Sequence, residues 1–250
     1  MKIIIYTRGS EAIEFIKKLL GSHYRATQII IVYPSRESNI VLNKFGKASG
    51  IPVISDSSEI LKKLSNRFTE VAIISLYYNK LLPIEIIRHA DGRTLNYHPS
   101  LLPKHRGCFS SSWEIIENDE EHGLTFHKLS EEFDTGNIVY SRSFERKTYT
   151  AFDLFKIKKI KAMEYFPEVV KSIINGEKGV PQPLDGGSYH PRKLPYSGVI
   201  NVNTMSEELA INLYRALYFP PHNDIIIWKK DGSILKDVTL EDIRDEYKRS

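Results

Sequence analysis

The sequence predicts an α/β protein: a Rossmann-like, doubly wound, mostly parallel sheet with a small C-terminal helix-and-hairpin unit. Three observations predict it. Short continuous apolar runs, typical of strands buried on both faces, alternate with stretches of helical periodicity. Tight turns follow the runs, as a strand–helix–strand rhythm with right-handed crossovers requires. Near residue 179 the composition shifts to Pro and Gly, and the segment beyond carries helix and hairpin signals.

Lys2 to Tyr6 is the first apolar run. Arg8-Gly9-Ser10 turns it into a helix in which Ala12, Phe15, Ile16, Leu19 and Leu20 repeat at helical spacing until Gly21 stops it. Gln28 to Tyr33 is a second strand, followed by a polar stretch, a helix near Val41 to Ala48 and the segment Gly50 to Ile54. Val71 to Leu76 and Gly123 to Leu129 are further strands. Pro181, Pro183, Gly186 and Gly187 form a linker. Beyond it, Thr204 to Phe219 reads as a helix, with Thr204 and Glu207 as a capping box. Ile225 to Trp228 and Ser233 to Val238 flank Lys230-Asp231-Gly232 as a hairpin. The expected division is a main domain over 1–185 and an accessory unit over 186–250. Apolar side chains exposed on that unit would form an unusual patch, so it is expected to make a homodimer.

Hydrophobic residues at 41% and charged residues at 26% exclude a disordered chain. The net charge of +4 is spread along the sequence; it suits an anionic small molecule and is too weak to indicate nucleic acid. A single cysteine, Cys108, rules out a disulfide framework and a cysteine metal cluster. The opening run is too short for a signal peptide, and no stretch approaches the roughly 18 apolar residues that span a bilayer. A cytoplasmic location without membrane contact is expected.

Ligands of open α/β sheets bind beyond the carboxyl ends of the strands. Arg8-Gly9-Ser10, Tyr77 to Lys80 and His98-Pro99-Ser100 all follow strands and should meet on that edge. In Thr94-Leu95-Asn96-Tyr97-His98, residues two apart share a face, so Asn96 and His98 project together beside the crevice. An amide donor next to an imidazole suits acyl transfer, one holding an oxyanion and the other moving a proton. Asp134 stands in a loop before the next strand, where Gly136 permits a tight turn; a carboxylate near His98 would raise the imidazole pKa and relay a proton.

Together, Asn96-Tyr97-His98-Pro99-Ser100-Leu101-Leu102-Pro103 and the later Asp134-Thr135-Gly136 resemble the folate-dependent formyltransferase family. Arg106-Gly107 and Trp113 stand in familiar places. The resemblance implies Asn96, His98 and Asp134 as the catalytic trio and 10-formyltetrahydrofolate as co-substrate. It places the reduced folate between the Tyr77 to Leu82 and Leu129 to Asp134 loops, with Leu76, Tyr77, Tyr78, Leu82, Glu131 and Phe133 as contacts. Among members, the segments Arg106 to Trp113, Tyr189 to Lys193 and Arg215 to Pro221 look most like the sugar formyltransferases. That implies a nucleotide-linked 4-amino-4,6-dideoxy sugar, dTDP-linked first and GDP-linked second, made for surface polysaccharide (O-antigen). The chain after Gly187 is short beside the barrel domain of about a hundred residues, one small domain, that accompanies formylation of initiator tRNA. The first loop also lacks the richness in glycine and serine of phosphoribosylglycinamide formyltransferase.

A diphosphate on the acceptor calls for cations and amide donors. Arg8, Gly9 and Ser10 at a helix start and Lys80 are the expected contacts on this edge, with Arg106 added by the resemblance. Arg8 in an ordinary turn and Lys80 as a solvated lysine are the plainer readings. His105, His122, His127 and His190 show no metal-like spacing and read as structural or exposed, so no metal site is expected. Tyr218, Phe219 and Trp228 read as a subunit contact before a base-stacking surface. Two rival functions are a formyltetrahydrofolate hydrolase and a catalytically silent nucleotide-binding module. The first usually carries a regulatory domain ahead of the core, and retention of the trio opposes the second.

Overall fold

A computed structural model describes residues 1–34, 39–56, 70–221, 225–236 and 238–248. The strands are β1 (Lys2–Thr7), β2 (Ile29–Pro34), β3 (Val53–Asp56), β4 (Val71–Leu76), β5 (Thr94–His98), β6 (Arg106–Gly107), β7 (Glu121–His127), β8 (Ile138–Glu145), β9 (Tyr189–His190), β10 (Val199–Asn201), β11 (Ile226–Trp228) and β12 (Ile234–Lys236). The helices are α1 (Ala12–Leu20), α2 (Ile40–Ser49), α3 (Ile84–His89), α4 (Ser110–Ile116), α5 (Ala151–Ile174), α6 (Glu207–Leu217) and α7 (Leu240–Lys248). Among these, no helix is long and apolar enough to cross a membrane.

The main sheet has the order β3-β2-β1-β4-β5-β7-β8, and its first five strands run parallel. β7 returns antiparallel to β5. This is the doubly wound sheet that the apolar runs predict: Ile3, Ile4 and Ile5 on the central β1 are each at most 1% exposed, as a strand covered on both faces must be. Because β1, β4 and β5 are parallel neighbours, their carboxyl ends lie along one edge.

The chain divides into two compact units, each discontinuous in sequence. The first comprises Met1–His98, Thr125–Ser141 and Ile160–Pro183. Its core includes an aromatic run: Phe15 meets Phe166 edge-on at 5.1 Å, Phe126 stacks on Phe166, and Tyr97 tilts against Phe126. Each such buried ring contributes roughly 1.5–3 kcal/mol by leaving water. Tyr97 on this face leaves Asn96 and His98 to the other.

The second unit comprises Pro99–Leu124, Arg142–Lys159 and Leu184–Ser250. The C-terminal segment therefore shares it with two earlier pieces of chain, because Ala216 of α6 is buried in one cluster with Ile115 of α4 and Leu154 of α5. β10, β11 and β12 form a separate sheet in which β11 and β12 are the predicted antiparallel hairpin; Asp237, within the second predicted strand, lies outside the described residues. The cap of α6 is Ser206, whose hydroxyl accepts from the Leu209 amide at 3.2 Å, and not Thr204, whose hydroxyl donates to Asn201 in the preceding turn. Helix α5, unread in the sequence, has its periodicity masked by Lys156, Lys158, Lys159 and Lys161 and carries Pro167 inside it.

Candidate active site

Asn96 and His98 occupy alternate positions at the carboxyl end of β5, paired with His127 and Thr125 of β7. Asp134 closes the group from the loop between β7 and β8. Its Oδ2 is 3.4 Å from His98 Nδ1, and its Oδ1 is 3.2 Å from Asn96 Nδ2 and 3.3 Å from His127 Nε2. His98, Asp134 and His127 have side chains no more than 10% exposed, so these charges and dipoles act with little solvent screening.

His127 is the residue that sequence reasoning missed. Its Nδ1 is 2.7 Å from the Lys128 carbonyl, which only accepts, so Nδ1 carries the proton. In the neutral ring Nε2 then accepts from Asn96 Nδ2 at 2.9 Å. Both amide hydrogens of Asn96 are thereby engaged, one by His127 and one by Asp134. The only sequence signal was the strand pattern around His127; its place opposite Asn96 follows from the register between β5 and β7.

Asp134 holds a left-handed backbone with φ of 57°. Such a conformation is costly for most side chains and tolerable for Asp, and it is the kind of strain found where a functional group must be aimed. The turn is thus made at Asp134 itself. Gly136 serves a different need from the expected one: a Cβ there would run into the Lys128 carbonyl. Gln182, from the predicted linker, donates to the carbonyls of both Asp134 and Gly136 at 2.7 and 2.8 Å and clamps the loop.

The residues expected around a folate divide into two groups. Leu76 and Leu82 are buried, and Tyr78 packs on the cluster that contains Leu82 while its hydroxyl donates to Asp56. Tyr77, with φ of 58°, turns the chain at the end of β4 and packs edge-on against Phe15 and Tyr97. These side chains support the edge, and the loop backbone is what they leave for a ligand. Glu131 and Phe133 are exposed beside Asp134, Glu131 standing 3.8 Å from Arg88. At the end of β1, the Glu11 carboxylate lies over Gly9, and Arg8 is held through its carbonyl by Asn39. Lys80 stands 3.6 Å from Asp56. Each of these two loops thus has a carboxylate beside it, Glu11 over Gly9 and Asp56 beside Lys80.

Arg106 belongs to the second unit, where β6 pairs with β9. The same unit holds two polar groups, the first of them buried. Lys158 is fully buried and donates to Glu114 and to the Pro99 carbonyl, each at 2.6 Å, and to Ser111 at 3.0 Å. Burial pushes its ammonium pKa down, and Glu114 opposes that shift. Glu114 also meets His122 Nδ1 at 3.0 Å. The second group joins His105, Glu117, Asp119 and His190, with Trp113 stacked on His190 at 4.2 Å. Burial, and after it the neighbouring His105, lower the His190 pKa.

Comparison with known proteins fixes the family. Residues 3–154, more than half of the chain, match the family model described as Formyl transferase. The chain belongs to the formyl transferase family. This formyl transferase is 36% identical over 179 residues, 71% of its own length and 68% of the relative's, to GDP-perosamine N-formyltransferase of Brucella melitensis. Among solved structures it resembles a 4-N formyltransferase from Francisella tularensis, at a TM-score of 0.77 and 21% identity, over 95% of this chain and 96% of that one. An N-formyltransferase from Helicobacter canadensis, solved with folinic acid and dTDP-3-aminofucose, follows at a TM-score of 0.70 and 23% identity, over 88% and 81%. These structural likenesses establish the fold.

Proposed function

We propose that this formyl transferase moves the formyl group of 10-formyltetrahydrofolate to the amine of a nucleotide-linked 4-amino-4,6-dideoxy sugar. The observation that carries the reading is the buried convergence of Asn96, His98 and Asp134 within hydrogen-bond or ion-pair reach. The group supplies what acyl transfer to an amine needs: donors for an oxyanion and a base for the proton. The chemistry balances without a metal or redox partner. Asn96 and His98 receive the negative charge as the neutral amine nitrogen bonds to the formyl carbon and the carbonyl electron pair moves onto oxygen. Asn96 gives up its longer bond, that to Asp134, to make this contact. Asp134 orients His98, and the pair takes the proton shed by the attacking nitrogen. As the carbon–N10 bond breaks, the proton passes to the folate nitrogen. His127 acts as a positioning residue by holding the other Asn96 hydrogen.

For the nucleotide, the better sequence match supports a GDP-linked acceptor. The relative at 36% identity acts on a GDP-linked sugar, which favours GDP over dTDP; dTDP is supported only by structures of lower identity, such as the one solved with dTDP-3-aminofucose. Arg8, Gly9, Ser10 and Lys80 are the proposed diphosphate contacts, and the loops carrying Tyr77 to Leu82 and Glu131 to Phe133 the proposed folate contacts. A domain over 1–185 would do the chemistry in the cytoplasm, and residues 186–250 would make a homodimer. The product would enter surface polysaccharide. The decisive test incubates the protein with 10-formyltetrahydrofolate and a panel of GDP- and dTDP-linked amino sugars. A gain of one formyl mass on a GDP-linked 4-amino sugar is expected. Formate release with no sugar modified would point instead to the hydrolase.

A further inference from the structure

We propose that His105, Glu117 and His190 form a binding site for a borderline divalent cation, with zinc best matched to the donors. His105 Nδ1, His190 Nε2 and a Glu117 carboxylate oxygen all lie within 4.8 Å of one another. The two nitrogens are 3.2 Å apart. Imidazole nitrogens each about 2.0–2.1 Å from one tetrahedral zinc stand roughly 3.3–3.4 Å from each other, so the rings are already at chelating separation. Glu117 Oε1 is 3.7 Å from His190 Nε2, and Oε2 is 4.0 Å from His105 Nδ1. The Glu117 side chain is 44% exposed and has room to close that gap.

The orientation of His105 strengthens the case. Its Nε2 lies 2.9 Å from Asp119 Oδ2. A carboxylate only accepts, so the proton sits on Nε2 and in the neutral ring Nδ1 turns its lone pair toward His190 and Glu117. Metal-bound histidines usually have their second nitrogen held this way by a carboxylate. A simple hydrogen bond between the two rings would account for the 3.2 Å separation. It would give no reason for Glu117 to converge on the same point. Two nitrogens and one carboxylate oxygen suit zinc better than magnesium or calcium, which prefer all-oxygen shells. Three protein donors leave a fourth tetrahedral position for water.

The donors come from separate places in the second unit: the turn before β6, the C-terminal cap of α4, and β9. The pairing of Arg106 with Tyr189 and of Gly107 with His190 holds His105 and His190 in register. A bound cation would therefore staple the loop after the Asn96–Pro103 motif to the C-terminal segment, a structural role independent of the transfer chemistry.

The test uses the full chain stripped with EDTA, titrated with Zn2+ by calorimetry and with Co2+ by visible absorption. A single site with micromolar or tighter affinity is expected, together with the intense d–d bands of tetrahedral cobalt and a zinc-dependent rise in unfolding temperature that EDTA reverses. Glu117→Gln, at an exposed helix end, keeps the fold and should weaken zinc binding by about tenfold or more, the scale on which metal sites respond to altered ligation. His190→Ala should abolish the cobalt bands. Zinc binding only in the millimolar range overturns the proposal. So does unchanged zinc affinity in both variants, when their circular dichroism matches the parent.

Discussion

At the scale of single residues, the site combines groups that act on the reactants with groups that hold them. Replacing His98 with Asn should lower turnover by on the order of a hundredfold with the fold intact, since proton transfer and oxyanion stabilisation each contribute at that scale. Single-turnover kinetics with matching circular dichroism would check it. His127 should behave differently. His127→Leu removes the acceptor for one Asn96 hydrogen and should cost roughly tenfold in kcat, the worth of one hydrogen bond of about 1.4 kcal/mol, with KM nearly unchanged. Equal losses in kcat and in substrate affinity would speak against a positioning role. Lys158 is buried with Glu114 as its ion-pair partner. Lys158→Ala removes the charged partner of that carboxylate and leaves it only His122, and should destabilise the protein by about 3–5 kcal/mol in urea unfolding.

At the scale of elements, the β5 strand and the loop before β8 do most of the placing. The face shared by Asn96 and His98 is legible in the sequence because strand periodicity is two and Tyr97 between them is apolar. The loop is less legible. Asp134 was readable as part of a motif, yet its left-handed backbone and its clamp by Gln182 depend on chain far downstream. Gly136→Ala tests the loop directly. Its methyl group would press on the Lys128 carbonyl, so the loop must shift, at a cost of about 1–3 kcal/mol for overpacking. Turnover should fall more steeply than stability, because Asp134 moves with the loop. A variant with parent-like turnover would show that the aim of Asp134 tolerates that shift.

At the scale of the whole molecule, the open question is assembly. Trp228 and Ile234, on β11 and β12, are 47% and 61% exposed. Phe219, expected to face a partner, instead packs edge-on against Phe152 and Phe155. The exposed apolar surface of the C-terminal segment is therefore narrower than its composition suggests; besides the hairpin it includes Tyr189, Leu194 and Tyr196. Light scattering at micromolar concentration should report a dimer, and Trp228→Lys should shift it toward monomer with secondary structure unchanged. A parent protein that is monomeric throughout that range would remove the hairpin as a subunit contact.

The sequence by itself determined the sheet and the family. Short continuous apolar runs bounded by turns fit strands covered on both faces, and the Asn-x-His-Pro and Asp-Thr-Gly segments are specific enough to name the family. Tertiary structure alone decided the rest. His127 joins the site through cross-strand register, which local periodicity does not encode. His105, Glu117 and His190 meet because β6 pairs with β9, bringing together donors whose sequence separation carries no metal-like spacing. Lys158, in a lysine-rich stretch, becomes a buried ion-pair partner only when α5 packs against α4. In each case the deciding contact is long-range, and its free energy exists only once distant segments are brought together.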